Sequence, residues 1–266
     1  MPRDRLIADI DRQVLRTWIA VAALCLVTFL ISRLLLLLLD GPSPFDIWLS
    51  DHIRQPHPSQ GLKLVERLAA LPGSVKGATA LILGVAAWAW LRRRDVRPGV
   101  LLIGAFVVTK ASVDVLKTVL LHMMPISAPI AVPKDRAFLS SHVAVAVAVF
   151  GMLVVVIWLV GRRELLFPAV AVAIAVVGAV ALSVMATGDH YFVDVVSGAA
   201  VGGFWVAIFA VVGDLMWRRL ATPTSPPSSR ELAEVGDQVV ESREGEHPDV
   251  LTQKAGHAHG DRKASI

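Results

Sequence analysis

Long apolar runs broken by short polar stretches dominate this chain. Six are of spanning length, over residues 18–39, 75–91, 99–121, 143–160, 165–187 and 195–217. A helix that crosses a bilayer needs about 20 consecutive apolar residues. The pattern therefore predicts an all-α fold, a polytopic membrane bundle of six transmembrane helices.

Between the first two runs lies a polar stretch, residues 40–74, which opens with Pro42 and Pro44 and reads as a loop. Near its end Leu62, Val65, Leu68 and Ala69 recur at helical spacing while Lys63, Glu66 and Arg67 are polar. That alternation predicts a short amphipathic helix at the membrane surface, which would cover a site or connect two spans. His52 and His57 have no partner at ligand spacing and read as solvated loop residues. From Ala221 onward Pro, Ser, Glu and Gly replace large apolar residues, so this segment cannot bury a core and is expected to be a disordered tail. His257 and His259 fall in it as two histidines of a flexible polar segment. The expected division is a basic N-terminus (1–17), a six-span membrane domain (18–219) and the tail (220–266).

Composition agrees with membrane burial: 55% of residues are hydrophobic, and the mean hydropathy is +0.63. The net charge of +4 does not indicate nucleic acid, because the basic residues cluster beside apolar runs and not along one polar face. The clusters are the N-terminus, residues 92–97, Arg162-Arg163 and Arg218-Arg219, and all fall on one side if the spans alternate. The positive-inside tendency makes that side cytoplasmic. Both termini are then cytoplasmic, and the turns at residues 40–74, 122–141 and around His190 are extracytoplasmic. An Arg-, Ala- and Val-rich chain suits a bacterium with GC-rich coding, so the expected location is the bacterial plasma membrane. The first run exceeds the 7–15 residues of a cleaved signal, so it is expected to stay in the protein as a span. Arg33 interrupts that run near its far end, either snorkelling to the interface or facing a polar cavity. Cys25 is the single cysteine, which excludes an intramolecular disulfide.

The candidate chemistry sits at the break between the last two runs, Gly188-Asp189-His190-Tyr191-Phe192-Val193-Asp194. If the last helix starts near His190, Asp194 lies one turn on, where its carboxylate would fix the imidazole tautomer. Such a pair would also serve as a structural link between helices; ionisable groups at membrane depth favour function. In the third run Lys110, Asp114 and Lys117 are four and three residues apart, a stripe on one helix face that needs partners or a polar cavity. His142 heads the fourth run. Two histidines, a carboxylate and Lys117 thus converge on the outer face.

The order of these residues resembles the type 2 phosphatidic acid phosphatase superfamily, with its motifs K-x6-R-P, P-S-G-H and S-R-x5-H-x3-D. The resemblance spans about residues 46–217. Ser183, His190 and Asp194 keep the third motif, Ser140 and His142 the second, Lys117 and Pro125 the first. Met124 and Val184 stand where the family has arginines, and Leu139 and Ser141 replace the Pro and Gly of the second motif. Loss of a preorganised oxyanion donor commonly costs about 10²–10³ in turnover, so other cations are expected to compensate. Arg136, Lys134, His122 and Arg33 are the sequence candidates.

The resemblance implies a lipid phosphate or diphosphate phosphatase that needs no cofactor and no metal. His190, oriented by Asp194, would attack phosphorus to form a phosphohistidine, and His142 would protonate the leaving oxygen and later activate water. Lys117, Ser140, Ser141 through its amide, and Arg136 would bind the phosphoryl oxygens. The implied substrate is a lipid such as a polyprenyl diphosphate or phosphatidate. A phosphotransferase of the same fold and a non-catalytic lipid- or partner-binding protein are the alternatives.

Overall fold

A computed structural model describes residues 3–39, 41–54, 59–122 and 138–221; the side chains of residues 3–11, 121–122 and 218–221 are outside that description. Among the described residues the chain is all-α. The helices are α1 (Arg3–Leu38), α2 (Pro44–Ile53), α3 (Gln60–Ala70), α4 (Val75–Arg93), α5 (Arg97–His122), α6 (Ser141–Leu159), α7 (Leu166–Ala186) and α8 (Phe192–Ala221). Six of them contain segments long and apolar enough to cross a membrane: Arg12–Leu38, Val75–Arg93, Arg97–Leu120, Ser141–Leu159, Arg163–Ala186 and Phe192–Trp217. The chain is an integral membrane protein, with six spanning helices among the described residues.

Local chemistry sets the helix ends. Ser43 caps α2 by a reciprocal arrangement: its hydroxyl oxygen accepts the Asp46 N–H while Asp46 Oδ2 accepts the Ser43 N–H, with Pro44 at the first helical position. Ser59 caps α3 and Ser74 caps α4 in the same first-turn manner. At its far end α4 carries Arg92 and Arg93, whose charge complements the carbonyl end of the helix dipole, and stops where Arg94 turns left-handed at φ +52°. Asp95 then opens α5. Its Oδ1 accepts the Arg97 N–H at 3.0 Å, and both its oxygens accept from the Arg97 guanidinium. The guanidinium hydrogen bond holds the Asp95 carboxyl below the usual carboxylate range.

Helices α6 and α8 form the centre. Half of the apolar window of each is buried, against 6% for those of α1 and α7. Their backbones approach closely because α8 carries Gly198 and Gly202 on the contact face, one turn apart. A β-carbon on Gly198 would lie 2.4 Å from the Ser140 carbonyl oxygen, and one on Gly202 2.5 Å from that of Ala144. Around this seam one apolar cluster centres on Leu101, Leu102, Val149 and Met152. Two others, built on Val143, Val180 and Val184 and on Val113, Leu139 and Val201, flank the end where α6 and α8 begin.

The two ends of the bundle are closed differently. At one, the Arg97 guanidinium lies 4.3 Å from the ring centre of Trp217, and Trp18 meets Trp158 edge-on. At the other, the Ser140 N–H donates to the Asp194 carbonyl at 3.0 Å. There the stretch over residues 40–74 departs from the expected loop with one helix. It holds two, because the Ser43-Pro44-Phe45-Asp46 cap nucleates α2 ahead of the amphipathic α3. His52, expected as a solvated loop residue, lies within α2 with its ring 4.5 Å from that of Trp48 and its Nδ1 2.7 Å from the Trp48 carbonyl.

Candidate functional site

The site is assembled from the turn joining α7 to α8. After Ala186 the chain reverses tightly, with the N–H groups of Asp189 and His190 both donating to the Val184 carbonyl at 3.1 and 3.2 Å. Gly188 makes this possible at φ +75°, where a side chain would be strained. The turn delivers His190 to the interior, 7% exposed.

His190 precedes α8, which begins at Phe192, near His190 as the sequence spacing supposed. Asp194 is therefore a first-turn residue. Its Oδ2 accepts the Tyr191 N–H at 3.0 Å, and the same atom is 3.6 Å from His190 Nδ1. The carboxylate caps the helix and faces the imidazole, but does not hydrogen-bond it. Among the described residues His190 Nδ1 is buried without a hydrogen-bond partner, an uncommon and costly state for a polar atom.

The start of α6 packs against this turn. Ser140 is fully buried and caps α6, its oxygen accepting the Val143 N–H at 3.5 Å while its own N–H goes to Asp194. Leu139 before it takes φ +91°, a backbone that costs a bulky residue about 1–3 kcal/mol and is held here by complete burial of the side chain. The amides of Ser141 and His142 are in the first turn, where no intrahelical carbonyl meets them, and such a turn favours an anion. His142 is half-buried, with the titratable side chains of His190, Asp189 and Lys117 near it. Residues from α5, α6 and the α7–α8 turn are thus brought within electrostatic range of one another.

Lys110 and Asp114 pair with each other on α5 with exposed or half-exposed side chains, while Lys117, one turn closer to the site, is half-buried. Arg33 does not simply point outward. Its guanidinium lies 5.7 Å from the ring centre of Phe138, two residues before Ser140. Ser183 donates to the Glu66 carbonyl at 2.6 Å and so ties α3 to α7. Val184 is buried in the apolar cluster with Val143, Val180 and Val195. Arg136, Lys134, Met124, Pro125, His57 and the tail beyond Ala221 lie outside the described residues, as does the side chain of His122. Among the described residues no three His, Cys, Asp or Glu side chains converge to hold a metal ion.

Helix α2, unforeseen in the sequence, lies over the turn. Asp46 is buried, and its Oδ1 accepts the Val193 N–H at 2.9 Å. Leu49 and Ile53 pack against the cluster around Val143 and Val184, and Phe45 meets Phe192 edge-on at 5.7 Å. At its end Arg54 reaches Gly188: its Nε is 2.7 Å from where a β-carbon there would be. The Ser-Pro-x-Asp cap signal was available to find α2; nothing in the spacing pairs Arg54 with Gly188. Beside the turn a cavity of about 340 Å³ opens between α1, α2 and α8, lined mainly by apolar residues such as Ile31 and Phe192, with Thr28, Ser32, Ser43 and Asp46 as polar members.

The fold and the site together define an integral membrane protein of six spanning helices with two histidines gathered at one end of the bundle. No family model matches the chain, and no curated protein does. Among solved structures it is similar to the crystal structure of the first transmembrane PAP2 type phosphatidylglycerolphosphate phosphatase from Bacillus subtilis. That similarity has 17% identity and a TM-score of 0.42, and covers 81% of this chain and 98% of that one.

Proposed function

We propose that this chain is a lipid phosphate or diphosphate phosphatase that works through a phosphohistidine at the extracytoplasmic membrane surface. The observation that carries the reading is a buried imidazole, His190, whose Nδ1 faces Asp194 and has no hydrogen-bond partner among the described residues, near a second histidine at a helix N-terminus, His142. A purely structural histidine would have its nitrogens satisfied.

Nδ1 of His190 faces Asp194, which leaves Nε2 to attack phosphorus. As the N–P bond forms, the P–O bond to the lipid breaks and the leaving oxygen takes a proton from His142. The neutral His142 then removes a proton from water, whose oxygen attacks phosphorus, releasing phosphate and restoring His190. The 3.6 Å gap to Asp194 is of the kind that closes when substrate binds, since catalytic hydrogen bonds are often long without it. Lys117, Ser140, the Ser141 amide and, from the stretch outside the described residues, Arg136 bind the phosphoryl oxygens, and the cavity beside Phe192 and Val196 receives a hydrocarbon chain. The reaction draws on no cofactor.

Basic clusters at residues 92–97, Arg162-Arg163 and Arg218-Arg219 support the reading that the opposite end of the bundle is cytoplasmic, and the basic N-terminus (1–17) and the tail (220–266) are proposed to be cytoplasmic as well. The test is phosphate release by the detergent-purified protein from a panel of polyprenyl diphosphates and phosphatidates, beside His190→Ala. Release by the wild type and none by the variant is expected. Product formed only with an added acceptor alcohol would instead identify a phosphotransferase. Absence of both activities, with normal cellular function in the variant, would identify a non-catalytic lipid-binding protein.

A further inference from the structure

The phosphoryl group of the proposed reaction carries negative charge onto its oxygens, and a guanidinium fork is the side chain best matched to it. Arg54 lies against Gly188, two residues before His190. It is the residue at which α2 ends, its N–H donating to the Ser50 carbonyl at 2.8 Å, and the helix that delivers it is fixed along its length. Asp46 anchors one end through the Val193 N–H, and Leu49 and Ile53 anchor the rest in the apolar cluster.

Beyond that anchor the Arg54 side chain lies flat against residue 188. The Nε, Cζ and Cδ atoms are 2.7, 2.9 and 3.2 Å from the place a β-carbon would take, distances that only a glycine allows. Gly188 begins the turn whose next two N–H groups close onto Val184 and set His190 in the interior. The arginine is exposed, yet it forms no ion pair among the described residues. The carboxylate closest in sequence to this glycine, Asp189, is engaged at Oδ2 by the Thr187 hydroxyl at 2.8 Å. A guanidinium is therefore held beside the His190 turn with no carboxylate in ion-pair contact among the described residues.

We propose, resting on the phosphatase reading above, that Arg54 binds the phosphoryl oxygens of the substrate at the His190 turn, with Gly188 kept free of a side chain to admit it. The ligand chemistry is a phosphate monoester or diphosphate dianion, presented by a lipid or free in solution. One bidentate charge-assisted contact is worth about 10- to 100-fold in affinity.

The experiment measures binding of inorganic phosphate by calorimetry, and phosphate release from phosphatidate and from a water-soluble short-chain analogue, on the full-length protein in detergent. Wild type, Arg54→Gln, Arg54→Lys and Arg54→Ala are compared, with melting temperature and size-exclusion elution checking the fold of each. The expected result is a rise of about 10- to 100-fold in Kd for phosphate and in KM for both substrates in Arg54→Ala and Arg54→Gln. Arg54→Lys should recover only part of it, because an ammonium is a point charge and not a fork. An effect on the lipid alone would assign Arg54 to the membrane surface and overturn the proposal. Wild-type phosphate binding that is unchanged in Arg54→Ala would overturn the role of Arg54 and leave the phosphatase reading standing. A wild type that neither binds nor releases phosphate would overturn both.

Discussion

Nδ1 of His190 and Oδ2 of Asp194 lie 3.6 Å apart, and the same carboxylate oxygen accepts the Tyr191 N–H at 3.0 Å. One oxygen thus has two tasks: to cap α8 and to orient the histidine. Asp194→Asn keeps a capping oxygen but removes the charge that would stabilise a cationic or phosphorylated imidazole. Turnover should fall by about 10²- to 10⁴-fold, while stability changes by about 1 kcal/mol or less. Steady-state kinetics and thermal unfolding in the same detergent separate the two, and equal loss of both would assign Asp194 to the cap alone.

Gly198 is the point at which α8 touches the Ser140 carbonyl. Its replacement by valine puts side-chain atoms inside 2.4 Å of backbone that has no freedom to move, since Ser140 is also bonded to Asp194. The variant should lose at least about 1–3 kcal/mol and, by shifting the start of α6, should lose activity even where it still folds. Thermal unfolding followed by fluorescence checks the first, and phosphate release at a temperature well below the transition checks the second.

Asp46 couples the cap of α2 to the start of α8. Asp46→Ala removes acceptors from the Ser43 N–H and the Val193 N–H and should cost about 1–3 kcal/mol. Hydrogen exchange should report the loss as faster exchange confined to α2 and the first turn of α8. Uniform protection in the variant would show that α2 is held by its apolar face alone.

The cavity beside α8 predicts a dependence on chain length. Ser32 is buried on its wall, and Ser32→Phe would fill part of the roughly 340 Å³ without touching His142 or His190. Release from a long-chain phosphatidate should drop several-fold through KM, and release from a short-chain soluble analogue should stay within about twofold, since apolar burial scales with the area removed from water. Equal loss on both substrates would remove the cavity from the reaction.

The number of spans, their order and the basic side of the bundle were readable in the sequence, because a run of apolar residues long enough for a bilayer has few other folds open to it. The expectation that His142, His190 and Lys117 stand at one end came from the same alternation, since each falls at the start or finish of a span. Position along the membrane normal is one-dimensional information, and a sequence carries it. What the sequence did not contain was the lateral arrangement. That Asp46 would reach Val193, Ser183 the Glu66 carbonyl, Arg33 the Phe138 ring and Arg54 the hollow left by Gly188 depends on which helices become neighbours. Neighbours are chosen by close packing, such as α6 against the glycines of α8, and no periodicity along one helix records the shape of another. The three-dimensional structure alone decided that the imidazole of His190 stands in the turn before α8 and that an arginine from another helix lies against Gly188 of that turn.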